Sequence, residues 1–194
     1  MFWLIITIAL WGIVHSVLAS MGFKNFLRGA LRHGFMKFYR LLYNLFAVIS
    51  IIPVLYLMVS LPNSSLYQVP APWKYLMLAG QGISALFLFV TILQTNVLSF
   101  VGLRQLVEEE KTGNLVTTGF YGSVRHPLYT FSLLILWLSP SMTMNSFIVY
   151  VALTLYVLIG IVFEERKLLQ EFGNEYAEYK STTPMLLPRL QSIA

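Results

Sequence analysis

Four stretches of this chain contain no Asp, Glu, Lys or Arg: residues 1–23, 41–73, 75–103 and 126–163. A helix needs about 20 apolar residues to cross the roughly 30 Å hydrocarbon core of a bilayer, and each stretch is long enough. Charge is correspondingly scarce, at 11% of 194 residues, against about 25% in soluble domains. The apolar set AVILMFWYC reaches 57%. An ordinary soluble globule and a disordered chain are both excluded, and the bilayer is the solvent the sequence calls for.

The stretches divide unevenly. Phe2 to Ala19 reads as a first span, without the basic n-region of a cleaved signal peptide. Leu41 to about Leu61 forms a second span, closed by the turn signal Pro62-Asn63-Ser64-Ser65, with Pro70 and Pro72 following. A third span lies within 75–103. The 38 residues between Arg125 and Glu164 fall short of two full helices plus a turn, which need rather more than about 40. Interrupted at Ser139-Pro140-Ser141 and Asn145, they predict a tight hairpin of a short helix, 127–139, and a longer one, 144–163. The expected fold is therefore all-α: an integral membrane bundle of five transmembrane helices. A cytoplasmic amphipathic helix over 164–180 should follow, with Leu168, Phe172, Tyr176 and Tyr179 on one face, and then a tail begun by Pro184 and Pro188.

Lys24, Arg28, Arg32, Lys37 and Arg40 fall between the first two spans, and Arg104, Lys111 and Arg125 lie in the connection 104–125. The turns 62–73 and 139–145 contain no basic residue. By the positive-inside rule the N-terminus is outside and the C-terminus cytoplasmic. Residues 1–99 then hold spans one to three, and 100–194 a catalytic region within the same structural unit. The net charge of +5 suits anionic lipid rather than nucleic acid, because no basic run with interleaved aromatics appears.

Chemistry is restricted by what is missing. There is no Cys or Asp, and no HExxH, GxSxG, P-loop or dinucleotide glycine pattern. His126 with two Glu makes no recognisable metal set, since His15 and His33 belong to the first span and its loop. Two groups remain. Pro127 suits the first turn of a helix, whose free N–H groups, with Arg125 and His126 beside them, can receive an anion. Glu164-Glu165 ends the fifth span, and the short hairpin makes Glu164 and His126 neighbours. The bland alternative is a helix cap and a solvated membrane border.

These residues also carry a resemblance. Leu115-Val116-Thr117-Thr118-Gly119-Phe120-Tyr121, Arg125-His126-Pro127-x-Tyr129, a hydrophobic hairpin, Glu164-Glu165, Leu168, Phe172-Gly173, Tyr176, Tyr179 and the terminal prolines follow one another as in the isoprenylcysteine carboxyl methyltransferase family. The order and spacing resemble that family over roughly residues 100–190, and phospholipid N-methyltransferases share the looser pattern. The resemblance implies S-adenosylmethionine as methyl donor, S-adenosylhomocysteine as product, and a lipidic or prenylated acceptor entering from the bilayer. It implies that Gly113, Asn114, Leu115, Val116, Tyr121, His126, Pro127, Leu128 and Tyr129 line the donor pocket and that Glu164 binds the donor. Arg125 and Glu165 are left to place the substrate and act in catalysis. One position departs: Gly160 stands where eukaryotic members carry a substrate-holding Arg.

The function expected from this is carboxyl O-methylation of a C-terminal prenylcysteine-like substrate at the cytoplasmic membrane face. Methylation of a phospholipid or small lipophilic amine is the second expectation. A non-enzymatic membrane scaffold or ligand carrier is the third. No obligate protein partner is inferred.

Overall fold

A computed structural model of the chain describes residues 1–30, 35–95, 97–107 and 114–189. Its elements run α1 (Phe2–Ala19), α2 (Met21–Ala30), α3 (Phe35–Ser50), α4 (Ile52–Ser60), β1 (Ser65–Gln68), α5 (Trp73–Gln94), α6 (Val97–Val101), α7 (Arg104–Val107), α8 (Phe120–Ser123), α9 (Pro127–Trp137), β2 (Ser141–Thr143), α10 (Met144–Phe172) and α11 (Asn174–Thr182). Four helical segments are long and apolar enough to cross a membrane: Phe2–Ala19, Phe35–Ser60, Trp73–Gln94 and Met144–Phe172. The predicted fourth span is the helix α9, apolar but only 11 residues long. At 1.5 Å per residue it reaches about 16 Å, roughly half the hydrocarbon core.

Two features differ from expectation. The turns 62–73 and 139–145 are not bare loops, because β1 and β2 within them pair as a two-stranded sheet. Met144 N–H donates to Ser64 O at 2.9 Å and Val69 N–H to Pro140 O at 2.8 Å, so the strands run antiparallel. A four-residue strand without alternating hydrophobicity leaves no periodic signal to read. The second difference is α10, which does not stop at 163 but continues unbroken to Phe172. Carrying the helix past the glutamates keeps them off a C-terminus, where the helix dipole would repel them. The break comes instead at Gly173, in the left-handed region with φ 55° and nothing near enough to clash.

The chain separates into two compact units. The first comprises 1–66, 96–112 and 143–152. In it α1 packs on α3 and α4, with Leu4, Ile8, Val54 and Val149 buried. The side chain of Asn145 ties the end of α4 by donating from Nδ2 to Met58 O and Leu61 O, both at 3.3 Å. Most large apolar side chains here face outward, Val59 being 77% exposed, as lipid-facing residues do.

The second unit comprises 67–95, 113–142 and 153–194. Its frame is the packing of α5 against α9. Gly80 lets Leu138 approach to where a Cβ would meet it at 3.0 Å. Gln81 Nε2 donates to Ile135 O at 2.7 Å, closing a carbonyl near the end of α9. Phe87, Phe120 and Phe131 meet in pairs with centroids 5.0–5.4 Å apart.

Candidate active site

All the polar candidates that the structure brings together lie in the second unit. Pro127 opens α9 at its first turn, as the sequence suggested, with His126 as the N-cap residue. What holds this entry is the C-terminal segment. Arg125 N–H donates to Pro184 O at 2.8 Å and His126 N–H to Met185 O at 3.1 Å. Thr130 Oγ1 bonds His126 O at 3.1 Å and Leu186 O at 2.8 Å. Residues 184–186 thus run along the start of α9 as a strap.

Glu164 and Glu165 are consecutive on α10, so their side chains leave the helix about 100° apart. That angle gives them different surroundings. Glu165 is 7% exposed and is the hub of the site. Its Oε1 accepts from Arg125 Nε at 2.8 Å, lies 2.7 Å from Arg125 Nη2 and 3.2 Å from His126 Nε2. Its Oε2 is 2.8 Å from Lys180 Nζ. Arg125 also donates from Nη1 to Lys180 O at 3.1 Å and to Thr183 O. Every nitrogen of Arg125 is therefore engaged with its own protein. The Glu164 side chain is 43% exposed, and its one ion-pair contact among the described residues is His126 Nδ1 at 3.7 Å. The His126 imidazole, 5% exposed, stands between two carboxylates.

Tyrosines close the cluster. Tyr129 stacks on the His126 ring with centroids 5.7 Å apart and 25° between planes. Tyr179 OH donates to Tyr121 O at 2.6 Å, fixing α11 to α8. Burial first, then the Glu164 carboxylate and Tyr179, push the Tyr121 phenol up to about 12. Tyr179 is likewise pushed up to about 12 by burial, with Arg125 acting in the opposite direction. Both stay protonated and neutral. Just before α8, Gly119 adopts φ 65°, and a Cβ there would come 2.5 Å from Gln94 Nε2. Only glycine lets the chain pass this close, and Gln94 Oε1 accepts the Phe120 N–H at 3.2 Å.

The structure thus assembles Arg125, His126, Glu164, Glu165, Tyr121 and Tyr129 at one place. Pro127 is buried beside them and Leu128 is half-buried. Asn114, Leu115 and Val116 lie in an irregular segment, and among the described residues no hydrogen bond links them to the cluster. Gly113 lies outside the described residues. Lys180 and Thr183 were not foreseen as site residues. Lys180 sat in the sequence as one more cation of a mixed-charge helix, and Thr183 contributes a backbone carbonyl, which has no signature.

Fold and site together define a class: an apolar helical membrane protein in which ionisable groups of the start of α9, of α10 and of α11 converge. Comparison with known proteins then gives the chemistry of its relatives. The chain is 29% identical over 195 residues to methanethiol S-methyltransferase 1 of Bradyrhizobium diazoefficiens, a match spanning 97% of this chain and 67% of that protein. It is 34% identical over 128 residues to methanethiol S-methyltransferase of Crocosphaera subtropica, covering 60% of this chain and half of the relative. A third relative, methanethiol S-methyltransferase of Mycobacterium tuberculosis, is 33% identical over 98 residues, 48% of this chain and 40% of its own length. The chain spans two thirds of the first of these proteins and half or less of the others. No protein-family model matches it, and neither does any solved structure. Its relatives are methyltransferases.

Proposed function

We propose that this protein is a membrane methyltransferase that moves a methyl group from S-adenosylmethionine to a small neutral thiol. The observation that carries this is the match along 97% of the chain to a methanethiol S-methyltransferase. The donor set of the site fits the cosubstrate. The half-exposed Glu164 carboxylate suits the cationic amino group, and the N-terminal turn of α9, with the positive end of its helix dipole, suits a carboxylate. Bound, S-adenosylmethionine would supply a methyl group on a positively charged sulfur and depart as S-adenosylhomocysteine.

The acceptor follows from charge. A carboxylate acceptor, such as the prenylcysteine implied by the family resemblance, needs a cation to offset its desolvation. Arg125 is committed to Glu165 and two carbonyls, Lys180 is bound to Glu165, and Gly160 offers no charge. A thiol needs a base instead, because the thiolate is the nucleophile. His126 is placed to take that proton, since the imidazolium formed would have Glu165 at 3.2 Å on one side and Glu164 at 3.7 Å on the other.

The orientation proposed is N-terminus outside and site cytoplasmic, with α9 completing five spans in the second of two hairpins. The sheet joining β1 and β2 supports placing turns 62–73 and 139–145 on the same side. The chain has no Cys, so single substitutions can be labelled. An impermeant reagent should reach Ser64→Cys and Ser141→Cys from outside, and Thr118→Cys only after permeabilisation.

Calorimetric titration of detergent-purified protein with S-adenosylmethionine and S-adenosylhomocysteine tests the enzyme reading, and no binding of either would leave a scaffold or carrier. Radiolabelled transfer to a small alkyl thiol, a prenylcysteine analogue and a lipophilic amine tests the acceptor. Transfer to the thiol alone is expected. Transfer to the prenylcysteine alone would restore the carboxylate acceptor.

A further inference from the structure

Tyr176 on α11 is 1% exposed, and its hydroxyl has no hydrogen-bond partner among the described residues. Buried hydroxyls are normally satisfied, because an unpaired one forfeits the bonds it made to water. The other unpaired buried atom, Asn145 Oδ1, has a simple account: the same side chain is anchored by its Nδ2 on neighbouring carbonyls. Tyr176 has one polar atom, and the Arg125 guanidinium beside it is committed to Glu165 and two carbonyls. Its place in the fold is informative. Lys180 stands four residues on, so the two side chains share one side of α11. Lys180 Nζ reaches Glu165, and the Lys180 and Thr183 carbonyls receive Arg125. The unpaired hydroxyl therefore belongs to the face of α11 turned to the site.

We infer that Tyr176 is a donor-binding residue, whose hydroxyl donates a hydrogen bond to the carboxylate of the amino-acid head of S-adenosylmethionine. The inference rests on the donor binding proposed above. That head is a zwitterion. Glu164 suits its ammonium, and the carboxylate then has to sit near two glutamates, where a neutral O–H donor is useful. Burial, together with Glu165 and Glu164, outweighs the charge and the close side-chain approach of Arg125 and pushes the Tyr176 phenol up to about 12, so it keeps its proton at any working pH. The hydroxyl is sheltered from solvent, so water does not compete for it.

Tyr176→Phe removes one oxygen and keeps the ring. Two titrants separate the parts of the donor: S-adenosylhomocysteine has the amino-acid head, and methylthioadenosine has the nucleoside without it. The variant should melt at or above the parent's temperature in detergent, since it loses an unsatisfied group. It should bind S-adenosylhomocysteine about ten-fold or more weakly and methylthioadenosine as the parent does. Unchanged affinity for S-adenosylhomocysteine would overturn the inference, as would equal weakening for both titrants or a lower melting temperature. If the parent itself fails to bind S-adenosylhomocysteine, the methyltransferase proposal falls first.

Discussion

Each unit contains a polar cluster, and the two are built on different terms. In the first, the His15 ring stacks on Trp11 with centroids 5.0 Å apart, and Tyr43 OH lies 3.0 Å from its ring nitrogens. Trp11 Nε1 donates to Ser50 Oγ at 3.1 Å, and Tyr39 OH to Leu18 O. These hydrogen bonds run between uncharged groups and join α1 to α3. The second cluster gathers Arg125, His126, Glu164, Glu165 and Lys180 around two carboxylates. Joining helices requires far less charge than that. In a chain that is only 11% charged, such a cluster marks the candidate site.

The contrast breaks first at Glu165. Glu165→Ala leaves the buried Arg125 guanidinium without its carboxylate, a loss of about 3–5 kcal/mol, and thermal unfolding in detergent should show the protein barely folded. A variant that melts like the parent would make the hub incidental. Glu164→Gln should change melting by under about 0.5 kcal/mol, because the side chain is half in solvent. Donor affinity should fall by one to two decades, for about 1.5–3 kcal/mol of charge-assisted hydrogen bond. Equal effects at both glutamates would erase the distinction between hub and ligand.

In the neutral cluster, Tyr43→Phe should cost about 0.6 kcal/mol, typical of a polar contact between membrane helices, and leave donor titrations untouched. The smallest effect at working pH concerns Tyr121, Tyr176 and Tyr179, all raised to about 12. An acid whose folded pKa exceeds its unfolded value near 10 stabilises the fold fully below that value. The stabilisation should therefore be complete below pH 10 and lost between about 10 and 12. Ultraviolet phenolate titration of the parent against the three Tyr→Phe variants reads this directly.

Spans were legible because hydrocarbon demands runs without charge, and those runs are visible at 1–23, 41–73 and 75–103. The proximity of His126 to Glu164 was legible for a geometric reason: a charge-free stretch too short for two full helices and a turn folds its ends together. The split between the two glutamates was not. It depends on whether α10 stops or continues at residue 164, a matter of one helical register angle. Nor was the strap, since Pro184, Met185 and Leu186 act through carbonyls that every residue has. Tyr176 was read as one of an apolar stripe, which its ring is; only its lone oxygen marks it as more.

The unbroken length of α10 has a mechanical consequence. Along α10, Asn145 to Glu165 is 20 residues, about 30 Å of helix. That is the thickness of a typical hydrocarbon core. Measured along this one helix, the glutamate pair stands one core thickness from its first turn. Reconstituted into bilayers of graded acyl-chain length, the protein should therefore turn over fastest where thickness and this helix length agree.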